Sequence, residues 1–124
     1  MLEEPVSALV RRPPVTIERG SPLSEALRVL RAGRTRCLVV MDGPRAIGLL
    51  TDRDLVEKCF HEGIDDGTPV QTIMDSPIIS VTPDTPLMEA LRVVDRERIR
   101  HLPLIEADGT LRAVIRGRDL MDYL

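Results

Sequence analysis

Aromatic side chains are almost absent from this sequence, which contains one tyrosine, one phenylalanine and no tryptophan. Because 43% of the residues are nevertheless hydrophobic, the core must consist of aliphatic side chains and methionine. Proteins that bind single-stranded nucleic acids stack the bases on aromatic side chains, and this chain has almost none to offer. Its net charge of −3 also gives no general attraction to a polyanion. We therefore expect no nucleic-acid partner.

Cysteines and long apolar runs are also scarce. The two cysteines, Cys37 and Cys59, form no Cys-x-x-Cys pair and have no histidine at metal-ligand spacing, so we interpret them as free thiols in a reducing compartment. No stretch reaches the length of about 18 apolar residues that a membrane span requires. The acidic residues 1–5 do not resemble a signal peptide. The sequence therefore predicts a cytoplasmic protein without membrane contact or a metal site.

An internal repeat organises the chain. Residues 6–42 match residues 70–106 at a shift of 64 positions, and residues 47–55 match residues 112–120 at a shift of 65. We expect one domain per copy, at residues 6–62 and 70–124, with a linker at residues 63–69. A pseudo-two-fold axis is expected to relate the two copies.

Each copy has the pattern of a β-α-β-β-α unit, so the predicted fold class is α/β with two tandem repeats. A hydroxyl residue followed by proline, Ser21-Pro22 or Thr85-Pro86, predicts a helix with a side-chain N-cap. The buried stripe predicted for the first helix consists of Leu23, Ala26, Leu27 and Leu30. The predicted elements are strands at 15–17 and 79–81, helices at 22–33 and 86–98, hairpins turning at Asp42-Gly43 and Asp108-Gly109, and final helices at 53–61 and 118–123.

The most informative stretch is residues 47–55, where an apolar strand leads into Thr51, Asp52 and Asp54 and then a helix. The second copy keeps the last aspartate as Asp119 but has Arg116 in place of the threonine. A strand-to-helix turn directs free N–H groups towards one point beside a carboxylate, which suits the phosphate and ribose of a nucleotide. The same residues fit a second interpretation, in which Thr51 or Asp52 simply caps the helix and Asp54 only interacts favourably with the helix dipole.

Two motifs carry a resemblance to a known family. The segment Gly48-Leu49-Leu50-Thr51-x-x-Asp54-Leu55 resembles the end motif of CBS (cystathionine-beta-synthase) domains, and Arg100-His101-Leu102-Pro103-Leu104 is similar to that family's Arg-His-h-Pro-h segment. With the repeat, the resemblance covers about residues 6–124 and is that of a tandem CBS pair, or Bateman module. It implies a regulatory module that binds an adenosine-containing ligand, such as AMP, ADP, ATP or S-adenosylmethionine, in clefts between the repeats.

The resemblance also implies which residues bind the ligand. The threonine and aspartates of the end motif would hold ribose and phosphate, the extended segment before the first helix would contact the base, and basic residues opening the hairpin would meet phosphates. The implied ligand-binding residues are Thr16, Ile17, Arg36, Thr51, Asp54, Ser80, Val81, Arg100, His101, Pro103, Arg116 and Asp119.

Departures from the family pattern distinguish the two copies. Arg116 replaces the hydroxyl residue of the second end motif, and Cys37 replaces the histidine of the first hairpin. We expect the pocket of Thr51 and Asp54 to be the better adenosine site. Two structural interpretations stay open: Arg36 and Arg100 complement the negative end of a helix dipole, and His101 is a structural histidine.

No catalytic residue is predicted, because no hydroxyl or thiol has a paired base in this sequence. We expect no cofactor, a homodimer, and an effector protein that receives the signal. The homodimer would cover apolar residues of the final helices, namely Leu55, Val56, Phe60, Leu120, Met121 and Tyr123. The alternative function is a purely structural dimerisation module with vestigial pockets.

Overall fold

The computed structural model describes residues 2–33 and 35–123, without the side chain of Phe60. The fold is α/β, as predicted, and the chain forms two compact units. The first unit is Val15–Ile78, and the second combines Met1–Pro14 with Ile79–Leu124. The N-terminal segment therefore packs with the second repeat, whereas the domain boundaries drawn from the repeat stay a prediction.

The first unit is built on a three-stranded sheet of order β1-β2-β3. β1 pairs in parallel with β2, and β2 pairs with β3 as the antiparallel hairpin that its Asp42-Gly43 turn predicts. The elements are β1 (Thr16–Glu18), α1 (Leu23–Arg31), β2 (Cys37–Asp42), β3 (Arg45–Thr51), α2 (Asp52–Leu55) continued by a π-helical turn (Val56–His61), and a 3-10 turn (Val70–Thr72).

The second unit contains matching elements, with its 3-10 turn first instead of last and with a smaller sheet. A 3-10 turn (Val6–Leu9) precedes α3 (Leu87–Glu97), the hairpin of β4 (His101–Ile105) and β5 (Leu111–Arg116), and α4 (Gly117–Tyr123). The strand predicted at residues 79–81 is reduced to one bridge between Val81 and Leu104.

Two prolines explain the missing strand. In the first unit, Val39 and Arg19 donate their N–H groups to Val15 and Met41 and so extend the parallel ladder. Their counterparts in the second unit are Pro103 and Pro83, which have no N–H group to donate. The ladder therefore keeps only the two bonds that Val81 makes.

The start of each long helix differs from the prediction. The N-cap residues are Pro22 and Pro86, and neither helix has a side-chain cap, so the predicted hydroxyl caps are wrong. Backbone carbonyls from distant segments take their place. Leu23 N donates to Thr68 O at 2.9 Å, and Leu87 N donates to Glu4 O at 2.8 Å. Segments before each 3-10 turn thus satisfy helix N–H groups that would otherwise lack partners.

The core of the first unit lies between α1 and the sheet. Leu23 and Ala26 are fully buried there, and Leu30 packs against the same cluster. Leu27 is 37% exposed, so its place in the predicted stripe is wrong. In the second unit, the matching face of α3 buries Leu87, Ala90 and Val93. Both helices therefore pack one narrow apolar face on their own sheets.

Gly48 on β3 provides a test of this packing. A Cβ at this position would lie 2.5 Å from Met74 Sδ and 3.0 Å from Asp75 O. We expect Gly48→Ala to lower the free energy of unfolding by about 1–3 kcal/mol, because one of these neighbours must move. Urea denaturation measures this change.

Gly20→Ala is the matched control, since a Cβ there meets nothing within 4 Å. It should leave stability unchanged or raise it slightly. At the matching positions, the second unit has the larger Ala113 in place of Gly48 and the smaller Val10 in place of Met74. Adding Met74→Val to Gly48→Ala should therefore recover part of the loss. Equal stabilities of the two alanine variants would contradict this account of the packing.

Candidate functional site

The predicted site residues of the first unit meet at one end of its sheet. The register pairs Cys37 at the start of β2 with Thr51 at the end of β3, and Thr16 on β1 lies beside Val39. Asp52 N donates to Arg36 O at 3.2 Å, which holds the start of α2 next to the start of β2. We call this group the Thr51 end, and its members are Arg36, Cys37, Thr51, Asp52 and Asp54.

Thr51 and Asp54 cap α2 reciprocally. Asp54 N donates to Thr51 Oγ1 at 3.1 Å, and Thr51 N donates to Asp54 Oδ2 at 2.9 Å. Thr51 therefore caps the helix, as one of the two interpretations predicted, and Asp54 completes a capping box that was not predicted for it from the sequence. The capping box leaves the threonine hydroxyl proton as a donor and the second carboxylate oxygen as an acceptor, because a carboxylate has about four lone-pair sites. Capping and ligand binding are compatible at this pair.

The cation of the Thr51 end is already paired. Arg36 Nη1 lies 3.0 Å from Asp52 Oδ2, and the other carboxylate oxygen of Asp52 accepts from Arg53 N at 2.8 Å. A phosphate approaching Arg36 would have to compete with Asp52 and would also meet the carboxylate of Asp54. The Thr51 end is therefore better suited to hydroxyl groups than to several phosphates.

Asp75 is a member of this environment that the sequence did not indicate. Its backbone pairs with Leu49, donating to Leu49 O at 2.8 Å and accepting from Leu49 N at 3.0 Å. Desolvation, the charge of Asp54 and a hydrogen bond to that carboxyl raise the pKa of Asp75. Burial and the nearby Asp54, Asp52 and Asp75 raise the pKa of Cys37 to about 12, so its thiol stays protonated. Only the tertiary structure brings Asp75 to Asp54.

The raised pKa of Asp75 predicts a pH dependence of stability. The folded state binds this proton more tightly than the unfolded state, so the stabilising contribution is present at low pH and is lost as pH rises through the folded pKa. At neutral pH, Asp75→Asn should therefore be more stable than the parent chain, and the difference should shrink on acidification. Urea unfolding between about pH 2 and pH 8 measures it, and this range also covers the region below about pH 4 in which a carboxyl with a lowered pKa changes its contribution.

Asp65→Asn is the control of opposite sign. A hydrogen bond from Gly67 N, at 2.8 Å, lowers the pKa of Asp65, so this carboxylate stabilises the fold at neutral pH and the contribution fades as pH falls. Asp65→Asn should lose stability at pH 7. The account of Asp75 would be contradicted if both substitutions shifted stability in the same direction with pH.

The second unit places its predicted residues in the matching position. His101 at the start of β4 lies opposite Arg116 at the end of β5, and Gly117 N donates to Arg100 O at 2.7 Å. Arg116 binds Asp119 through two hydrogen bonds, Nε to Oδ2 at 3.1 Å and Nη2 to Oδ1 at 2.8 Å. This group is called the Arg116 end, and its members are Arg100, His101, Arg116, Gly117 and Asp119.

The ion pair replaces the capping box of the first unit. The hydrogen bond from Arg116 lowers the pKa of Asp119, and the hydrogen bond to Asp119 raises the pKa of Arg116. Both carboxylate oxygens of Asp119 therefore already have a donor. Asp54, by contrast, accepts from the backbone of Thr51 and shares a hydrogen bond with the carboxyl of Asp75, and its oxygens still have free lone pairs.

The extended segments contribute hydroxyl groups at these ends. Ile17 is buried and only 6% exposed, and Val81 uses its N–H with Pro103 O and its C=O with Ile105 N. Pro103 itself is buried. The exposed polar side chains of these segments are those of Thr16 and Ser80. Contacts between these segments and the base stay a prediction. The exposed hydroxyl groups of Thr16 and Ser80 are best placed to make such contacts.

None of the helices formed by residues 2–33 and 35–123 combines the length and the apolar character needed to cross a membrane.

Comparison with known proteins identifies the family. The CBS domain family model matches residues 6–61 and again residues 70–124. An uncharacterized 17.7 kDa protein of Acidianus ambivalens is 34% identical over 116 residues, which cover 93% of this chain and 70% of that protein. Two α/β units with a repeated end motif therefore define a tandem arrangement. The chain belongs to the CBS domain family.

Solved structures agree with this assignment. A CBS domain protein from Pyrobaculum aerophilum complexed with AMP is 26% identical, with a TM-score of 0.84, and the match covers 93% of this chain and 88% of that one. The cytosolic domain of the Mg²⁺ channel MgtE in complex with ATP is 27% identical, with a TM-score of 0.82. That match covers 98% of this chain and 49% of the MgtE domain. The predicted tandem CBS fold is thus confirmed.

Proposed function

We propose that this chain is a regulatory module that binds an adenosine-containing nucleotide and has no catalytic activity of its own. The observation that carries the proposal is the convergence of hydroxyl, carboxylate and guanidinium groups at one end of the sheet in each unit. These are the groups that ribose and phosphate require. The AMP complex and the ATP complex of the two related structures support the same ligand class.

The Thr51 end is the proposed site for the ribose. Asp54 offers a carboxylate oxygen that can accept from the two ribose hydroxyl groups, and the hydroxyl of Thr51 can donate to a ribose or phosphate oxygen. The capping box fixes both side chains before the ligand arrives, which reduces the entropy lost on binding. Thr16 is exposed on the neighbouring strand and is the proposed contact for the base.

Mass spectrometry tests the ligand class without choosing a ligand beforehand. The chain is purified without added nucleotide, denatured by heat, and the released small molecules are identified. We expect an adenosine-containing compound in the parent chain and less of it in Asp54→Asn, which keeps the cap but loses the charge. An unrelated compound released in stoichiometric amount would contradict the proposal.

A homodimer is the proposed assembly, because exposed apolar side chains lie on the π-helical turn that continues α2 and on α4. Val56 is 51% exposed and Met121 is 62% exposed. Leu55 and Leu120 are buried within their own units, so including them in the interface was wrong. Phe60 was also predicted there, and its side chain lies outside the described residues. We also propose that an effector protein receives the signal from the ligand-bound module.

Light scattering at about 50 μM checks the dimer, since this concentration should exceed the Kd of an interface of standard size. We expect a dimeric mass for the parent chain and a smaller mass for the double variant Val56→Asp/Met121→Asp. Leu27→Asp, on the exposed side of α1, is the control and should stay dimeric. A monomeric mass for the parent chain would contradict the proposed homodimer and also the alternative function as a structural dimerisation module.

A further inference from the structure

The two ends differ in residue type at three of five matched positions, and two of these differences change the formal charge. Cys37, Thr51 and Asp52 of the Thr51 end correspond to His101, Arg116 and Gly117 of the Arg116 end. The Thr51 end therefore combines one guanidinium with two carboxylates and lies beside a third, Asp75. The Arg116 end combines two guanidiniums and an imidazole with a single carboxylate, and the charges of Asp122 and Arg118 on α4 also act on it.

The pairs within each end are exposed and weak, so the contrast lies in the charges that each end contains. Arg36 pairs with the carboxylate of Asp52, Nη1 to Oδ2 at 3.0 Å. In the second unit, Gly117 has no side chain in the place of Asp52, and among residues 2–33 and 35–123 the guanidinium of Arg100 has no hydrogen-bond or ion-pair partner. Arg100 is exposed and thus accessible to an anion.

Arg116 is also able to bind a second anion. Its two hydrogen bonds to Asp119 use Nε and Nη2, and a guanidinium has five N–H donors in a planar fork. The arginine side chain is 54% exposed, and exposed ion pairs contribute only about 0–1 kcal/mol. The cross-strand pairing with His101 and the Gly117 N to Arg100 O bond hold all three basic residues at one point.

We propose that the Arg116 end recognises the phosphate chain of the nucleotide, so that affinity there rises from monophosphate to triphosphate, and that the Thr51 end is insensitive to chain length. This inference rests on the proposed function and assigns a ligand preference to each site. Arg116 is the residue that determines the preference, with Arg100 as the second phosphate contact.

Calorimetric titration of the whole chain with adenosine, AMP, ADP and ATP, without divalent cations and at low salt, tests this. The variants are Arg116→Thr, which restores the residue of the first copy, and Arg100→Ala. Each should reduce the ratio of ATP to AMP affinity about tenfold, as expected for the loss of one charge-assisted bond. The ratio should also fall with added salt in the parent chain and less so in Arg116→Thr.

Arg112→Ala is the matched control, because Arg112 on the same strand pairs with Glu106 at 2.9 Å and is not a member of the Arg116 end. It should leave the ratio unchanged. If Arg116→Thr and the parent chain have the same ratio of ATP affinity to AMP affinity, the inference is wrong. Binding of adenosine in the same experiment would still support the proposed function.

Titration with inorganic triphosphate distinguishes failure of the proposed function from failure of the inferred phosphate site. If no adenine compound binds, the proposed function is wrong, and the phosphate site is then tested with triphosphate alone. If the parent chain binds triphosphate and Arg116→Thr binds it about tenfold more weakly, a phosphate site at the Arg116 end is still supported. Absence of triphosphate binding in that case would overturn it.

Discussion

Leu23→Ala is expected to lower the free energy of unfolding by about 2–5 kcal/mol. Leu23 is fully buried on the first turn of α1, where the helix packs on the three-stranded sheet. Its N–H donates to Thr68 O, so the backbone at this position is fixed and cannot easily close the cavity that the substitution leaves. Urea denaturation followed by far-UV circular dichroism measures the loss.

Leu27→Ala is the control on the same helix. The substitution is chemically identical, and alanine favours a helix at both positions. Because Leu27 is 37% exposed, we expect a cost below about 1 kcal/mol. Similar costs for the two variants would mean that α1 presents a different face to the sheet from the one described.

Asp54→Ala is expected to weaken the binding of adenosine and AMP by about ten- to a hundred-fold. The variant loses a charge-assisted hydrogen bond to the ribose, which is worth about 1.5–3 kcal/mol. It also loses the bond from Thr51 N, at 2.9 Å, and therefore about 1 kcal/mol of stability. Calorimetry measures the first effect and denaturation the second.

Two variants isolate the role of the Asp54 charge. Asp54→Asn keeps an oxygen for Thr51 N and should weaken binding while leaving the fold nearly as stable as the parent chain. Asp119→Ala should weaken adenosine binding less, because Arg116 already occupies both oxygens of Asp119. A larger effect of Asp119→Ala than of Asp54→Ala on adenosine would reverse the ranking of the two sites.

The features that the sequence predicted correctly are those that local chemistry determines. The two Asp-Gly turns give the hairpins because glycine adopts positive φ at low cost, and the helical periodicity gives α1 and α3. The identities of Thr51 and Asp54 predicted a helix start that the capping box confirms. The repeat itself predicted that both units would contain the same elements, and the strand expected at residues 79–81 is the exception.

The sequence signal for the missing strand was present but small. Pro83 and Pro103 each remove one N–H donor, and the effect is visible only when the ladder of the first unit is known. The helix caps gave no local signal at all, since Thr68 and Glu4 act through backbone carbonyls, which every residue has. The same is true of Asp75, which reaches Asp54 through its backbone pairing with Leu49.

The exposed position of Leu27 shows the limit of periodicity. A leucine at the expected spacing on an amphipathic helix fits the stripe, but the width of the stripe depends on how closely the sheet approaches the helix. In this unit, Leu23 and Ala26 are fully buried, whereas Leu27 is 37% exposed. Only tertiary packing determines how wide the buried face of the helix is.

Isothermal titration of the unmodified chain with adenine nucleotides tests the central claim most directly. The panel contains adenosine, AMP, ADP, ATP and S-adenosylmethionine, with the corresponding uridine nucleotides as the control for phosphate alone. We predict saturable binding of at least one adenine compound, with higher affinity than its uridine counterpart. The absence of binding across the adenine panel, in a chain shown to be folded and free of copurified ligand, would contradict the account and favour a purely structural module.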